Sequence, residues 1–167
     1  MTGQTTWGAE QEARAISMDL LDVTGRALET GDFARFAACF TLPSVVETGH
    51  RRDVIRTQAE LRTLFDRNRA HFREVGITQI VRATVAARFA APDEVEETHE
   101  SHLMAGDRRV RDPYPVFCRL RRGPQGWQIA YSNYAIDSET RHGRALSLSE
   151  TTPRDRAEAQ DRKEEQE

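Results

Sequence analysis

One short stretch of this sequence concentrates groups able to move a proton near neutral pH: Glu97-Thr98-His99-Glu100-Ser101-His102. Histidine changes charge in that range, and on an extended chain residues two apart share a face. Glu97, His99 and Ser101 would then stand in a row, with the carboxylate near enough to orient or charge the imidazole. In that arrangement His99 is the candidate general acid or base, Glu97 its partner and Ser101 a substrate contact. The alternatives are a histidine satisfied by structural neighbours and a glutamate solvated on an acidic strand; a buried Glu97 needs His99, an arginine or water. His99 and His102 are three apart, point to opposite faces and cannot share a metal, and no Gly-x-Ser-x-Gly turn presents Ser101 as a nucleophile. No metal and no cofactor is expected.

Further polar candidates lie elsewhere. Tyr131 and Asn133 are two apart in the stretch opened by Trp127 and Ile129, where they would place donors in a pocket or bond to backbone in the core. Asn68 interrupts an apolar helical stripe between Phe65 and Phe72, so it reaches into a cavity or lies at the stripe's edge. Arg108-Arg109-Val110-Arg111 is a basic loop that would grip an anion at a pocket mouth or stay solvated. His50 falls in a turn and His142 in a polar C-terminal stretch, and both are expected in solvent.

The elements that must position these groups follow from periodicity. Between Glu10 and Glu29, Ala13, Ile16, Leu20, Val23, Ala27 and Leu28 recur at helical spacing, and Gly31 stops the helix. Asp32 caps a short second helix that buries Phe33, Phe36, Ala37 and Phe40 and ends at Pro43. Ser44–Thr48 and Arg52–Ile55 read as a small hairpin turning at Gly49-His50. Thr57-Gln58-Ala59-Glu60 is a capping box that opens a third helix running to Val75, with Gly76 as its stop.

After Gly76 the period changes to two. Odd positions from Ile77 to Phe89 are mostly apolar, and even ones include Arg82, Thr84 and Arg88, which predicts a strand buried on one side. Pairing Phe89 with Val95 sets Arg88 against Glu96 and Val81 against Leu103, matching charge with charge and apolar with apolar. That register aims Glu97, His99 and Ser101 inward. Gly123-Pro124-Gln125-Gly126 closes a second hairpin. With Leu120 opposite Ile129, Cys118 would pair with Tyr131 and Val116 with Asn133, all inward. Phe117, Ala130, Tyr134 and Ile136 then face out as an apolar group, which predicts a homodimer through that face.

With 167 residues and 38% hydrophobic content, the chain has room for one core. From Ser138 onward there is no aromatic residue, and Leu146 and Leu148 are the only large aliphatics. A domain at 10–137, a flexible N-terminus at 1–9 and a polar, disordered tail at 138–167 are therefore expected, with a short polar helix able to start at Thr152-Pro153. The net charge is −3 with both signs interspersed, which leaves no footprint for nucleic acid. No apolar run approaches the length of a membrane span or a signal peptide, so a soluble, cytoplasmic protein is expected. Cys39 and Cys118 sit on core faces without metal-ligand spacing and read as reduced thiols.

Two helices, a hairpin, a longer helix and four strands follow in that order. Together with Ala27-Leu28-Glu29-Thr30-Gly31-Asp32-Phe33 and Gly126-Trp127-Gln128-Ile129, this resembles the nuclear transport factor 2-like superfamily, in its SnoaL-like and ketosteroid isomerase-like group, over about residues 10 to 137. The resemblance implies an α+β fold, a cone-shaped α+β barrel in which a curved, mostly antiparallel sheet wraps around three N-terminal helices. It also implies a pocket for a small, largely apolar molecule. The aspartate base of ketosteroid isomerases falls at Thr48, beside Glu47, and their first-helix tyrosine at Thr24, so their mechanism does not transfer. Two readings follow. One is a cofactor-independent isomerase, cyclase or dehydratase with His99 and Glu97 as its acid–base pair and Tyr131, Asn133, Asn68 and Ser101 around the substrate. The other is a non-catalytic ligand-binding or dimeric interaction module of the same fold.

Overall fold

A computed structural model describes residues 3–148 of the chain. The order is α1 (Gly3–Thr30), α2 (Phe33–Ala37), β1 (Phe40–Thr48), β2 (Arg51–Ile55), α3 (Gln58–Val75), β3 (Gln79–Ala91), β4 (Glu94–Ala105), β5 (Arg108–Arg109), β6 (Tyr114–Gly123), β7 (Gly126–Tyr134) and α4 (Arg141–Ala145). Among the described residues no helix is long and apolar enough to cross a membrane.

Local chemistry sets the helix ends. The Asp32 side chain accepts from the amide of Arg35 at the start of α2, and Thr57 and Glu60 close the capping box of α3, which ends on Gly76 at φ 76°. Gly31 turns with φ 83°, a backbone conformation that favours glycine at the α1–α2 corner, where the Arg69 guanidinium packs against it. Two expectations fail. Residues 3–9 are the first turns of α1, not a separate flexible segment, because extending a nucleated helix gains a hydrogen bond per residue. Phe40 begins β1 rather than ending α2: it pairs with Ile129, and Pro43 falls in the irregular stretch between Phe40 and Val45, where no ladder donor is required.

The sheet runs β2-β1-β7-β6-β4-β3, with β5 paired to the end of β4. Every pairing is antiparallel except β1 with β7. It is a mixed, curved sheet, left unclosed between β2 and β3, that wraps the helices in a cone-shaped α+β fold. Leu20, Phe72, Val95, Leu103, Val116, Leu120 and Ile129 form the core between helices and sheet. Phe36, Val46, Ile55, Leu61 and Phe65 form a second core under α2 and α3.

Both long hairpins adopt the expected register and then shift by one, the β3–β4 pair after a first irregularity between Ala91 and Phe89 beside its turn. In the β3–β4 pair Phe89 opposes Val95, and Arg88 pairs with Glu96 at 2.6 Å. The register shifts between Thr84 and Ala86, so that Ile80, not Val81, opposes Leu103. An unpaired residue inverts the facing of everything beyond it. Val85 and Val81 are accordingly 60% and 42% exposed, while Thr84 is buried and Arg82 half-buried on the inner side. In the β6–β7 pair Leu120 opposes Ile129 as expected, but a shift at Ala130 sets Cys118 against Ser132 and Val116 against Tyr134. Tyr131 and Asn133 therefore face outward. The outward apolar group loses two members, since Tyr134 points into the cone and Ile136 is buried in the core, which leaves Phe117 and Ala130 of the four residues on which a dimer was expected.

The expected boundary at Asp137 is also wrong. Ser138, His142, Ala145, Leu146 and Ser147 are buried, because α4 folds back against α3. Polar partners make up for the sparse apolar content of this segment. Tyr114 bonds His142 at 2.9 Å, Asn68 donates to the Ala145 carbonyl at 3.3 Å, and Arg51 donates to Ser147 at 2.8 Å. His142, expected in solvent, lies among Phe72, His71 and Tyr114. The helix start expected at Thr152 lies outside the described residues.

Candidate functional site

A cavity of about 60 Å³ lies inside the cone. Leu21 and Leu28 of α1, Phe36 and Phe40, Phe72 of α3 and Ile129 of β7 give it an apolar body, and α4 closes one side with His142 and Leu146. Its polar wall is made by Thr24, Asn68, Arg82, His99, Ser101, Tyr114, Ser132 and Tyr134.

Alternation along β4 places Glu97, His99 and Ser101 on this inner face. Glu97 is 2% and His99 3% exposed. His99 Nδ1 lies 2.9 Å from Glu97 Oε1 and 3.2 Å from Oε2, and Ser17 of α1 donates to Oε2 at 3.2 Å. A carboxylate facing Nδ1 selects the tautomer with its proton there. Nε2 is left as the ring nitrogen able to take up or release a proton on a side chain that lines the cavity. The buried carboxylate is satisfied by donors from two elements, as a charge in low dielectric must be.

Burial decides the state of the neighbouring groups. It raises the pKa of both the Tyr134 and Tyr114 phenols, so they remain O–H donors. It pushes the Cys118 thiol well up, helped by the charge of Glu97, which excludes a thiolate nucleophile. It also lowers His142 to about 3, with His71 and Arg111 acting in the same sense. A neutral His142 accepts the Tyr114 hydroxyl at Nε2 and keeps its proton on Nδ1, a buried atom without a partner.

No protein-family model and no curated protein matches the chain. Solved structures do. An NTF2-like protein with a cystatin-like fold from Novosphingobium aromaticivorans superposes with a TM-score of 0.58 at 16% identity, covering 87% of this chain and 97% of that one. A candidate dehydratase of the NTF2-like family from Streptomyces avermitilis gives 0.56 at 14%, covering 76% and 97%. A candidate ketosteroid isomerase from Shewanella frigidimarina gives 0.53 at 12%, covering 70% and 92%. The chain has the nuclear transport factor 2-like fold. Likeness at this level concerns fold, and chemistry has to be argued from the site.

Within this NTF2-like cone the expected site residues divide. Glu97, His99 and Ser101 come together on the inner face of β4, with His99 and Ser101 lining the cavity and Glu97 buried beside His99. Asn68 also lines the cavity, but its amide nitrogen is committed to the Leu64 and Ala145 carbonyls, so it fastens α4 to α3. Tyr131 and Asn133 do not join them. On the outer face of β7, the Tyr131 hydroxyl and the Asn133 amide both donate to Glu47 Oε2, and Arg52 pairs with Glu47 at 2.7 Å. Thr48 is buried and Glu47 faces outward, so β1 offers the cavity no carboxylate.

Arg82, Thr24, Tyr134, Ser132 and Tyr114 are the cavity groups that sequence reasoning missed. Unbroken alternation through Val85 and Ala130 puts Arg82 and Tyr134 on the outer face, and the two register shifts reverse that. Ile80 and Val81 are equally apolar, and Tyr131 and Tyr134 are the same residue type, so composition carried no signal of either shift.

Glu97, His99 and Cys118 are the group of possible metal ligands among the described residues, with donor atoms all within 4.8 Å. The fit is poor. The carboxylate already serves His99 and Ser17, the thiol is held protonated by burial, and the positive charge of Arg82 acts on Cys118, opposing a dication there.

Proposed function

We propose that the chain binds a small molecule in this cavity and performs cofactor-independent acid–base chemistry on it, as an isomerase, cyclase or dehydratase. The observation that supports this best is the buried Glu97–His99 pair, whose imidazole lines the cavity. His99 Nε2 takes a proton from a carbon next to a carbonyl, and Glu97 stabilises the imidazolium while the Nδ1 proton stays in place. The oxygen that gains charge is met by hydroxyl donors of the same polar wall, Tyr134 and Ser132. Returning the proton to another carbon completes an isomerisation, and giving it to a departing hydroxyl completes a dehydration. The candidate isomerase and the candidate dehydratase that share the fold belong to this same reaction class.

A second reading, a non-catalytic binding module, is favoured by size. About 60 Å³ is well below the roughly 300–1,000 Å³ of sites that enclose drug-sized ligands. Exchange of α-protons for deuterium in a panel of small ketones, followed by NMR in D₂O, separates the two. The enzyme should accelerate exchange, and His99→Gln should reduce it by about 10²–10⁴, the usual contribution of a positioned acid–base group. Equal exchange by wild type and His99→Gln for every ketone would leave only the binding module.

A further inference from the structure

Among the described residues, the inner wall carries one permanent positive charge without a carboxylate partner. The register shift at Val85 turns Arg82 to the concave side of β3, where it lines the cavity with His99, Tyr114 and Tyr134. Its Nη1 donates to the Thr24 hydroxyl at 3.1 Å, and Thr24 in turn donates to the Leu20 carbonyl at 2.8 Å. The guanidinium also lies beside Gly25, where a Cβ would meet Nη2 at 3.6 Å.

The nearby acids are committed elsewhere. Glu97 serves His99 and Ser17, Asp22 pairs with Arg26 at 3.1 Å, and Glu29 accepts the Ile80 amide at 2.9 Å. Arginine makes no ion pair with any of them, yet its charge bears on Tyr114, Cys118 and Tyr134 around the cavity. A half-buried guanidinium gives up part of its hydration and gains one neutral acceptor in return. Its five donors are arranged to take a carboxylate at two points. Thr24 offers one acceptor oxygen, which leaves most of that fork unused.

We propose that Arg82 is the anchor of a carboxylate subsite, and that the ligand of this cavity is a small carboxylic acid with an apolar body. Arg82 holds the carboxylate, and the Tyr134 hydroxyl is a further donor within the same wall. Leu21, Leu28, Phe36, Phe40 and Phe72 enclose the hydrocarbon part, and the volume of about 60 Å³ restricts it to a few carbons. The inference deepens the acid–base reading and rests on the same cavity being the ligand site. The proton taken by His99 then comes from a molecule whose carboxylate is already fixed at Arg82.

Thermal melting and titration calorimetry of the full chain test this with propionate and crotonate against propionamide and crotonamide at constant ionic strength. The acids should raise the midpoint and the amides should not. Arg82→Gln should weaken the acids by about tenfold or more, the scale of one hydrogen bond to a charged group. Without ligand, Arg82→Gln and Arg82→Met should melt no lower than wild type, since each removes a charge without an ion-pair partner. His99→Gln should keep acid binding while losing proton exchange. No preference for acid over amide in the wild type, a preference that survives Arg82→Gln, or a large fall in the ligand-free midpoint of both Arg82 variants would overturn the subsite. Acid binding through Arg82 with no His99-dependent exchange would sink the acid–base reading and leave the subsite standing. Exchange of neutral ketones without acid binding would do the reverse.

Discussion

Gly143→Ala sets two physical effects against each other. Gly143 lies in α4, and replacing glycine by alanine in a helix is worth ~1 kcal/mol in favour of folding. A Cβ at this position, however, would stand 2.2 Å from the Asp137 carbonyl oxygen and 2.8 Å from Ser138 Cα. Both are backbone atoms and cannot swing aside, so α4 has to lift. Lifting it unseats buried Leu146, a loss of ~1.5–3 kcal/mol, and breaks the Tyr114–His142 hydrogen bond, worth about 1 kcal/mol. After the alanine gain is subtracted, the loss is ~1.5–3 kcal/mol, or a fall of roughly 3–12 °C in melting midpoint for a chain of this size. Circular dichroism melts measure the fall. NMR titration supplies a second readout, because His142, held down to about 3 by burial, should return toward the ordinary value near 6.5 once α4 is loose. A variant that melts at or above the wild-type temperature with His142 still silent would refute the close contact and the docking of α4.

His142 also predicts the acid limb of stability. Its pKa is low folded and ordinary unfolded, so the unfolded chain binds the proton first; stability is complete above about pH 6.5 and falls as pH drops toward 3, by ~1.4 kcal/mol per unit for this one group. Partly buried His71, also lowered by burial, adds in the same direction, and His142→Gln should flatten the wild-type slope of midpoint against pH. Tyr131→Phe should leave exchange and ligand binding unchanged, since its hydroxyl serves Glu47 on the outer face, while Tyr134→Phe should impair both. The opposite pattern in those two assays would restore the unshifted register.

Much of the frame was legible in the sequence because it rests on short-range chemistry. The Asp32 cap, the Thr57–Glu60 box, the stop at Gly76 and the turn at Gly123–Gly126 each need only residues within four positions of one another. Alternation along β4 likewise put Glu97 and His99 on one face, and the complete order of elements pointed to the cone. Tertiary structure alone decided the rest. Val85 and Ala130 are ordinary strand residues, and what displaces them from the ladder is the path of a curved sheet around α1 and the core, with Arg14 of α1 donating to the Thr84 and Val85 carbonyls. The shift at Ala130 exchanged Tyr131 and Asn133 for Ser132 and Tyr134, and the shift at Val85 brought Arg82 to the cavity wall. The final segment was misread for a related reason. Its average composition is too polar to bury, but Ser138, His142 and Ser147 are buried by hydrogen bonds to Tyr114 and Arg51 and by the absence of a side chain at Gly143. Those partners lie far away in the chain. Local sequence determined which elements form, and long-range packing determined which of their faces meets the cavity.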